Sequence, residues 1–204
     1  MQTNDMEEEM LWLKREDLPE SVDVNGTTLP IFADFRTWVR VDSVIQDNAI
    51  PEELKLPVIC DLIGINPFAF KGDQKDLWDA IMGFYFCGKK PRESSAKTNG
   101  RQGYRFEYDM DLIYAAFRQQ YNINLLDAKL HWFEFKALFN ALSDDTMIIR
   151  VIGYRTRDTS NLKGEEKSRA QRLEKYYRLP EDKGPEKERT PQEIEAELLA
   201  RLET

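Results

Sequence analysis

Phe35, Trp38, Val41, Val44 and Ile45 fall three and four residues apart, and that spacing returns in segment after segment of this chain. Apolar residues at this interval share one side of an α-helix, so each such segment must bury a stripe against something else. The repetition predicts helices packed around a common core. In "YDMDLIYAAFRQQYNIN", residues 108–124, the stripe is Leu112, Ile113, Ala116, Phe117 and Tyr121. Asp109 is expected to cap its start, and "YNIN" suits a helix end followed by a turn, because Asn tolerates the left-handed conformation.

The same reading gives a helix over "DFRTWVRVDSVIQD" capped by Asp34. Another covers "GDQKDLWDAIMGFYFCGKKP": Asp73 begins it, Leu77, Trp78, Ile81, Phe84 and Tyr85 line it, and Gly88 and Pro91 end it. "HWFEFKALFNALSDDT" adds a stripe of Trp132, Phe135, Phe139 and Leu142, and Ser143 is expected to cap a further helix through "MIIRVIGYRTRD". "PEELKLPVICDLIG" is less regular. Pro51 suits a first helical position, whereas Pro57 is expected to kink or restart the helix and to set Val58, Ile59, Leu62 and Ile63 on a separate turn. Trp38, Trp78, Phe117, Trp132 and Phe135 are expected to share one core.

A different period stands before the helices. In "SVDVNGTTLPIF" Val22 and Val24 alternate with polar residues, Asn25-Gly26 supplies two positive-φ positions, and Thr27, Leu29 and Ile31 resume the alternation, which predicts a β-hairpin with a type I′ turn. The expected fold class is mainly α: a single helical domain over residues 10–180 with an N-terminal β-hairpin and a C-terminal helical tail. Residues 1–9 are polar and acidic and read as a disordered extension, with Met10 an alternative start. Residues 89–105, "KKPRESSAKTNGRQGYR", hold six Lys or Arg against one Glu with no apolar period and read as a flexible basic loop. After Asp158 a mixed-charge helix is expected to project or half dock. Residues 181–204 read as a linker followed by a short amphipathic helix, "TPQEIEAELLARLET", in which Thr190 and Glu193 form a capping box and Ile194, Leu198 and Leu202 share a face. A helix this short is marginal alone. It is expected to dock on another chain, a second copy or a different partner.

Chemistry-bearing patterns are sparse. His131 is the one histidine and stands at a helix start, where it reads as a cap and not as a metal ligand or catalytic base. The acidic pairs Asp109/Asp111 and Asp144/Asp145 fall at expected helix starts, where carboxylates meet the helix dipole favourably. No phosphate-binding glycine motif occurs. The expectation is no catalytic residues, no metal and no cofactor. Cys60 and Cys87 lie in apolar surroundings and read as buried free thiols in a reducing compartment. No run approaches the ~20 apolar residues of a membrane helix, and the start lacks a basic targeting pattern. The net charge of −8 favours protein partners over nucleic acid, for which only the basic loop would serve.

The blocks "LPESVDVNGTTLPIFADFRTWVRVDSVI", "FYFCGK", "YDMDLIYAAFRQQYNINL", "LHWFEFKALFNALSDDT" and "GYRTRD" occur in the order found in the fifteenth-gene-product family of Gram-positive siphophages and their prophages, and the chain resembles that family from about Leu11 to Pro180. The acidic extension and the tail after Pro180 depart from it. The resemblance implies a tail assembly chaperone in the cytoplasm of the bacterial host, which coats the long, helical, aggregation-prone tape-measure protein until tube subunits replace it. It brings no catalytic residues. The partners it implies are the tape-measure protein and a neighbouring tail assembly protein, with self-association also open. Candidate partner-contacting residues are Gln119 and Gln120 on the polar margin of their helix, Arg155 and Arg157 beside an apolar run, and Ile194, Leu198 and Leu202. A structural tail or connector component retained in the virion is the rival reading, and a nucleic-acid-binding regulator a remote one.

Overall fold

The computed structural model describes residues 15–67, 70–89 and 102–180. The expected extension at 1–9, most of the basic loop and the segment 181–204, with Ile194, Leu198 and Leu202, lie outside the described residues. After one short helical turn, strands β1 (Ser21–Val24) and β2 (Thr27–Pro30) pair antiparallel, with Val24 opposite Thr27 and Val22 opposite Leu29. Asn25 at φ 52° and Gly26 at φ 81° make the expected type I′ turn. Val22 and Val24 are buried, and the Asn25 amide donates to Asp76 Oδ2 at 2.7 Å, fixing the turn to a helix below. A two-stranded sheet is marginal alone, and this one rests its valine face on the helical core.

Helices α1 (Phe35–Gln46), α2 (Glu52–Ile63), α3 (Gln74–Tyr85), α4 (Phe106–Tyr121), α5 (Trp132–Asn140), α6 (Met147–Thr156) and α7 (Gly164–Tyr177) follow. The mainly α class with an N-terminal hairpin is what the structure shows. Asp34 and Asp73 cap α1 and α3 as expected, accepting the N–H groups of Arg36 and Lys75 at 2.9 and 2.8 Å. Asn122, at φ 55°, ends α4 in the left-handed conformation. His131 caps α5: its Nδ1 accepts the N–H of Phe133 at 3.0 Å, and Glu134 reaches back to the His131 N–H at 2.8 Å. Because Nε2 lies 2.9 Å from the Pro19 carbonyl, an acceptor, the proton sits on Nε2. The starts of α1 and α5 are bonded side by side, Phe35 N–H to Leu130 O and Trp132 N–H to Ala33 O.

Several local expectations need correction. Pro57 does not restart the helix: α2 runs through it without a gap to Ile63. The carbonyl that loses its donor belongs to Glu53, one residue inside the helix start and exposed, where water can replace the bond. Pro51 precedes the first helical residue instead of occupying it. Asp109 does not sit at the α4 start, which is Phe106; its carboxylate folds back to accept the Arg105 N–H at 3.0 Å. Ser143 does not cap α6. The preceding residue is Thr146, and Ser143 contributes its carbonyl, which accepts the Thr146 N–H and hydroxyl at 3.0 and 2.8 Å. The far end of the basic segment is packed: Arg105 is buried, and Tyr104 sets its ring edge-on to Phe106 and Phe139 at 5.2 and 4.9 Å.

Trp38, Phe117, Trp132 and Phe135 are fully buried in one cluster, with Trp78 half-buried at its margin. Phe135 is the hub, stacked on Phe35 at 4.8 Å, Phe117 at 5.2 Å and Trp132 at 5.8 Å. Both indole N–H groups are satisfied, Trp38 by Phe32 O and Trp132 by Tyr85 O, each at 2.9 Å. The mixed-charge helix α7 half docks as expected, stacking Tyr177 on Tyr154 of α6 and burying Ala170.

Candidate functional site

An open apolar groove of 520 Å³ runs between α1 and α4. Phe35, Arg36, Val39 and Arg40 form one wall, Met110, Asp111 and Tyr114 the other, and Leu125 and Leu126 close it from the connection between α4 and α5. Each helical wall is built from residues one turn apart, Phe35 with Val39 and Met110 with Tyr114, so both present side chains along a helix-length track. Phe35 is anchored from beneath by Phe135 and covered by the Arg36 guanidinium, 4.7 Å from the ring centre.

Arg36 also shapes the third wall. Its Nη2 donates to the carbonyls of Leu125, Leu126 and Ala128 at 2.9, 3.1 and 2.9 Å, while Nη1 pairs with Asp34. Asn124 accepts the Leu126 N–H at 3.2 Å and donates its amide to Asp127. Leu126 is therefore held out on a braced turn with 75% of its surface exposed. A leucine on a floppy loop would turn inward; here the backbone bonds leave it facing water. The rim carries one charge of each sign, Arg40 and Asp111, neither with a polar partner among the described residues.

The partner-contacting residues expected from sequence are not gathered at this groove. Gln119 is exposed at the far end of α4. Gln120 clips α4 to the turn before α6, donating to Ala141 O at 3.0 Å and accepting the Ser143 N–H at 2.9 Å. Arg155 is buried: its guanidinium grips Asp109 at 2.7 and 2.9 Å and donates to Tyr177 O and Gly103 O at 2.6 and 3.1 Å. Arg157 is exposed and paired with Glu166 of α7 at 2.9 Å.

A buried polar cluster is the other place where titratable groups meet. Asp42 of α1 accepts the Tyr85 hydroxyl and the Gln46 amide, each at 2.5 Å, and Lys136 of α5 lies over the rings of Tyr85 and Trp132 with Tyr104 beside it. Burial raises the Asp42 carboxyl, lifts the Tyr85 and Tyr104 phenols well above their ordinary value, pushes the Cys87 thiol up to about 11 and lowers Lys136. Every one of these shifts disfavours the ionised form, so the thiol and the phenols are held away from their nucleophilic states. The arrangement ties α1, α3 and α5 together. Among the described residues no group of His, Cys, Asp or Glu is placed to hold a metal ion, and no helix is long and apolar enough to cross a membrane.

Comparison with curated proteins and with solved structures finds no match. The sequence pattern of a phage family matches residues 15–179, which takes in the hairpin, α1 to α7 and every residue of the groove, and the chain belongs to that family, described as Bacteriophage Gp15 protein.

Proposed function

We propose that this chain is a non-enzymatic tail assembly chaperone that transiently binds the tape-measure protein in the host cytoplasm. The observation that carries the reading is the braced apolar groove between α1 and α4, in a chain of a bacteriophage family. Its 520 Å³ accepts a few large side chains from one stripe of an amphipathic helix, the anchors at i, i+3, i+4 and i+7 that a helix lays into a groove. A long helical partner offers that stripe many times over, so many copies of a small binder would coat it. The open, shallow shape suits release, because a bound helix keeps one face in water.

Co-expression of the chain with the tape-measure protein tests this. Capture should be lost with Val39→Glu and Leu126→Glu together, while the thermal midpoint stays near that of the parent, since neither residue is fully buried. The chain should also be missing from purified virions by mass spectrometry. Stoichiometric presence in virions would favour a retained tail or connector component instead.

A further inference from the structure

The groove has a second occupant within reach. We propose that residues 190–202 of this same chain, "TPQEIEAELLARL", dock into the α1–α4 groove in cis, covering Leu126 and Val39 until another helix displaces them. The inference goes beyond the tape-measure reading and does not need it. Three observations support it.

The first is where the described chain ends. The Tyr177 carbonyl at the end of α7 is bonded to Arg155, and the same guanidinium grips Asp109, the immediate neighbour of the groove residue Met110. The described chain thus ends α7 against the first turn of α4, the helix whose adjoining face carries Met110 and Tyr114. The second is length: twelve residues lie between Tyr177 and Thr190, and the thirteen steps from one to the other extended span ~43–47 Å, well beyond the width of two packed helices at ~10 Å spacing. The third is chemistry. The segment carries Ile194, Leu198 and Leu202 on one face, matching a track of Phe35, Val39, Met110, Tyr114 and Leu126. Glu193, Glu195 and Glu197 outnumber Arg201, and the groove rim offers the unpartnered Arg40, with Asp111 available to Arg201. A self-capping segment that is marginal alone gains its stability by burying that face.

The test uses the full chain carrying Leu126→Cys, a position exposed enough that the substitution leaves the core untouched, and measures its maleimide labelling rate. The native thiols make a low background, both being raised to about 11 by burial. Docking in cis predicts slow labelling that does not change with protein concentration. Adding Leu198→Glu and Leu202→Glu should raise the rate about tenfold or more, the factor expected when a docked state worth ~1.4 kcal/mol is lost. Arg40→Glu should raise it in part. Equal rates with and without the two glutamates would overturn the proposal, and so would protection that grows with concentration, which would assign the groove to a second copy. A chain that shows the expected labelling yet fails to capture the tape-measure protein would refute the chaperone reading alone.

Discussion

Asp109→Ala should be among the most damaging single substitutions in this chain. Asp109 and Arg155 are 2% and 8% exposed, and their side chains meet through two bonds of 2.7 and 2.9 Å. Truncating the acid takes from the buried Arg155 guanidinium the carboxylate that grips it, a change that costs about 3–5 kcal/mol. The Arg105 N–H at the start of α4 loses its acceptor as well, worth ~1 kcal/mol, though the two losses share one site and will not simply add. Against a typical stability of ~5–15 kcal/mol this is a large fraction. With a urea m-value of ~1–3 kcal/mol/M the midpoint should fall by more than ~1 M. Arg155→Met should cost a similar amount and also free the end of α7 and Gly103, whose carbonyls it holds, so protease should cut α7 sooner. The double variant Asp109→Ala with Arg155→Met should lose far less than the sum of the two singles. High salt should leave the parent's dependence on this pair unchanged, because buried charges are poorly screened. Additive losses in the cycle, or an Asp109→Ala cost below ~1 kcal/mol, would show that the pair carries no such weight.

Trp132→Ala should cost ~3–5 kcal/mol in urea unfolding, since it removes a fully buried ring stacked on Trp38, Tyr85 and Phe135. Gly64→Ala should destabilise by at least ~1 kcal/mol, because the residue ends α2 at φ 86° and an added Cβ would come within 2.8 Å of the Phe32 ring; an unchanged midpoint would mean Phe32 moves aside freely. Burial raises the Asp42 pKa above its ordinary 3.8, so its protonated form is favoured by folding and its contribution falls as pH climbs from 3.8 through the raised value. Asp42→Asn should therefore gain on the parent as pH rises through that window. Asp42→Ala should lose ~1–3 kcal/mol by orphaning the Tyr85 hydroxyl, and parallel pH curves for parent and Asp42→Asn would refute the assignment. Cys60 should resist thiol reagents at neutral pH until the chain unfolds, being fully buried with its thiol raised to about 11.

How much of this was legible depended on whether a residue's partner lies near it in sequence. Asn25-Gly26 announced the hairpin, and Asp34, Asp73 and His131 announced helix starts, because a turn or a cap is settled by neighbours two or three positions away. The errors came where a distant group took over a local signal. Asp109 has the residue type and placement of a cap, but Arg155, forty-six positions later, captures it one turn inside the helix. Tyr85 read as one more apolar stripe residue, and its hydroxyl proves to be committed to Asp42.

The groove was hidden for a related reason. Reading a helix by its main stripe assigns one face to the core and treats the rest as solvent, so Val39 on α1 and the pair Met110 and Tyr114 on α4 fell outside the pattern. Yet an apolar residue off the stripe is the signal that a second face exists. Met110 and Tyr114, four apart, mark such a face on one helix, and Val39, one turn after the stripe residue Phe35, marks it on another. No local rule says that these faces adjoin. That follows from Phe135, which stacks Phe35 and Phe117 on one ring and so brings α1 and α4 together, and from Arg36, whose three backbone bonds carry Leu126 to the groove's open edge. A binding surface assembled this way can change its ligand by altering Val39, Met110, Tyr114 or Leu126 with little effect on the core, whereas a change at Phe135 would disturb both. Selection for partner specificity should accordingly act on the four outer residues, with Phe135 and Arg36 fixing the frame that presents them.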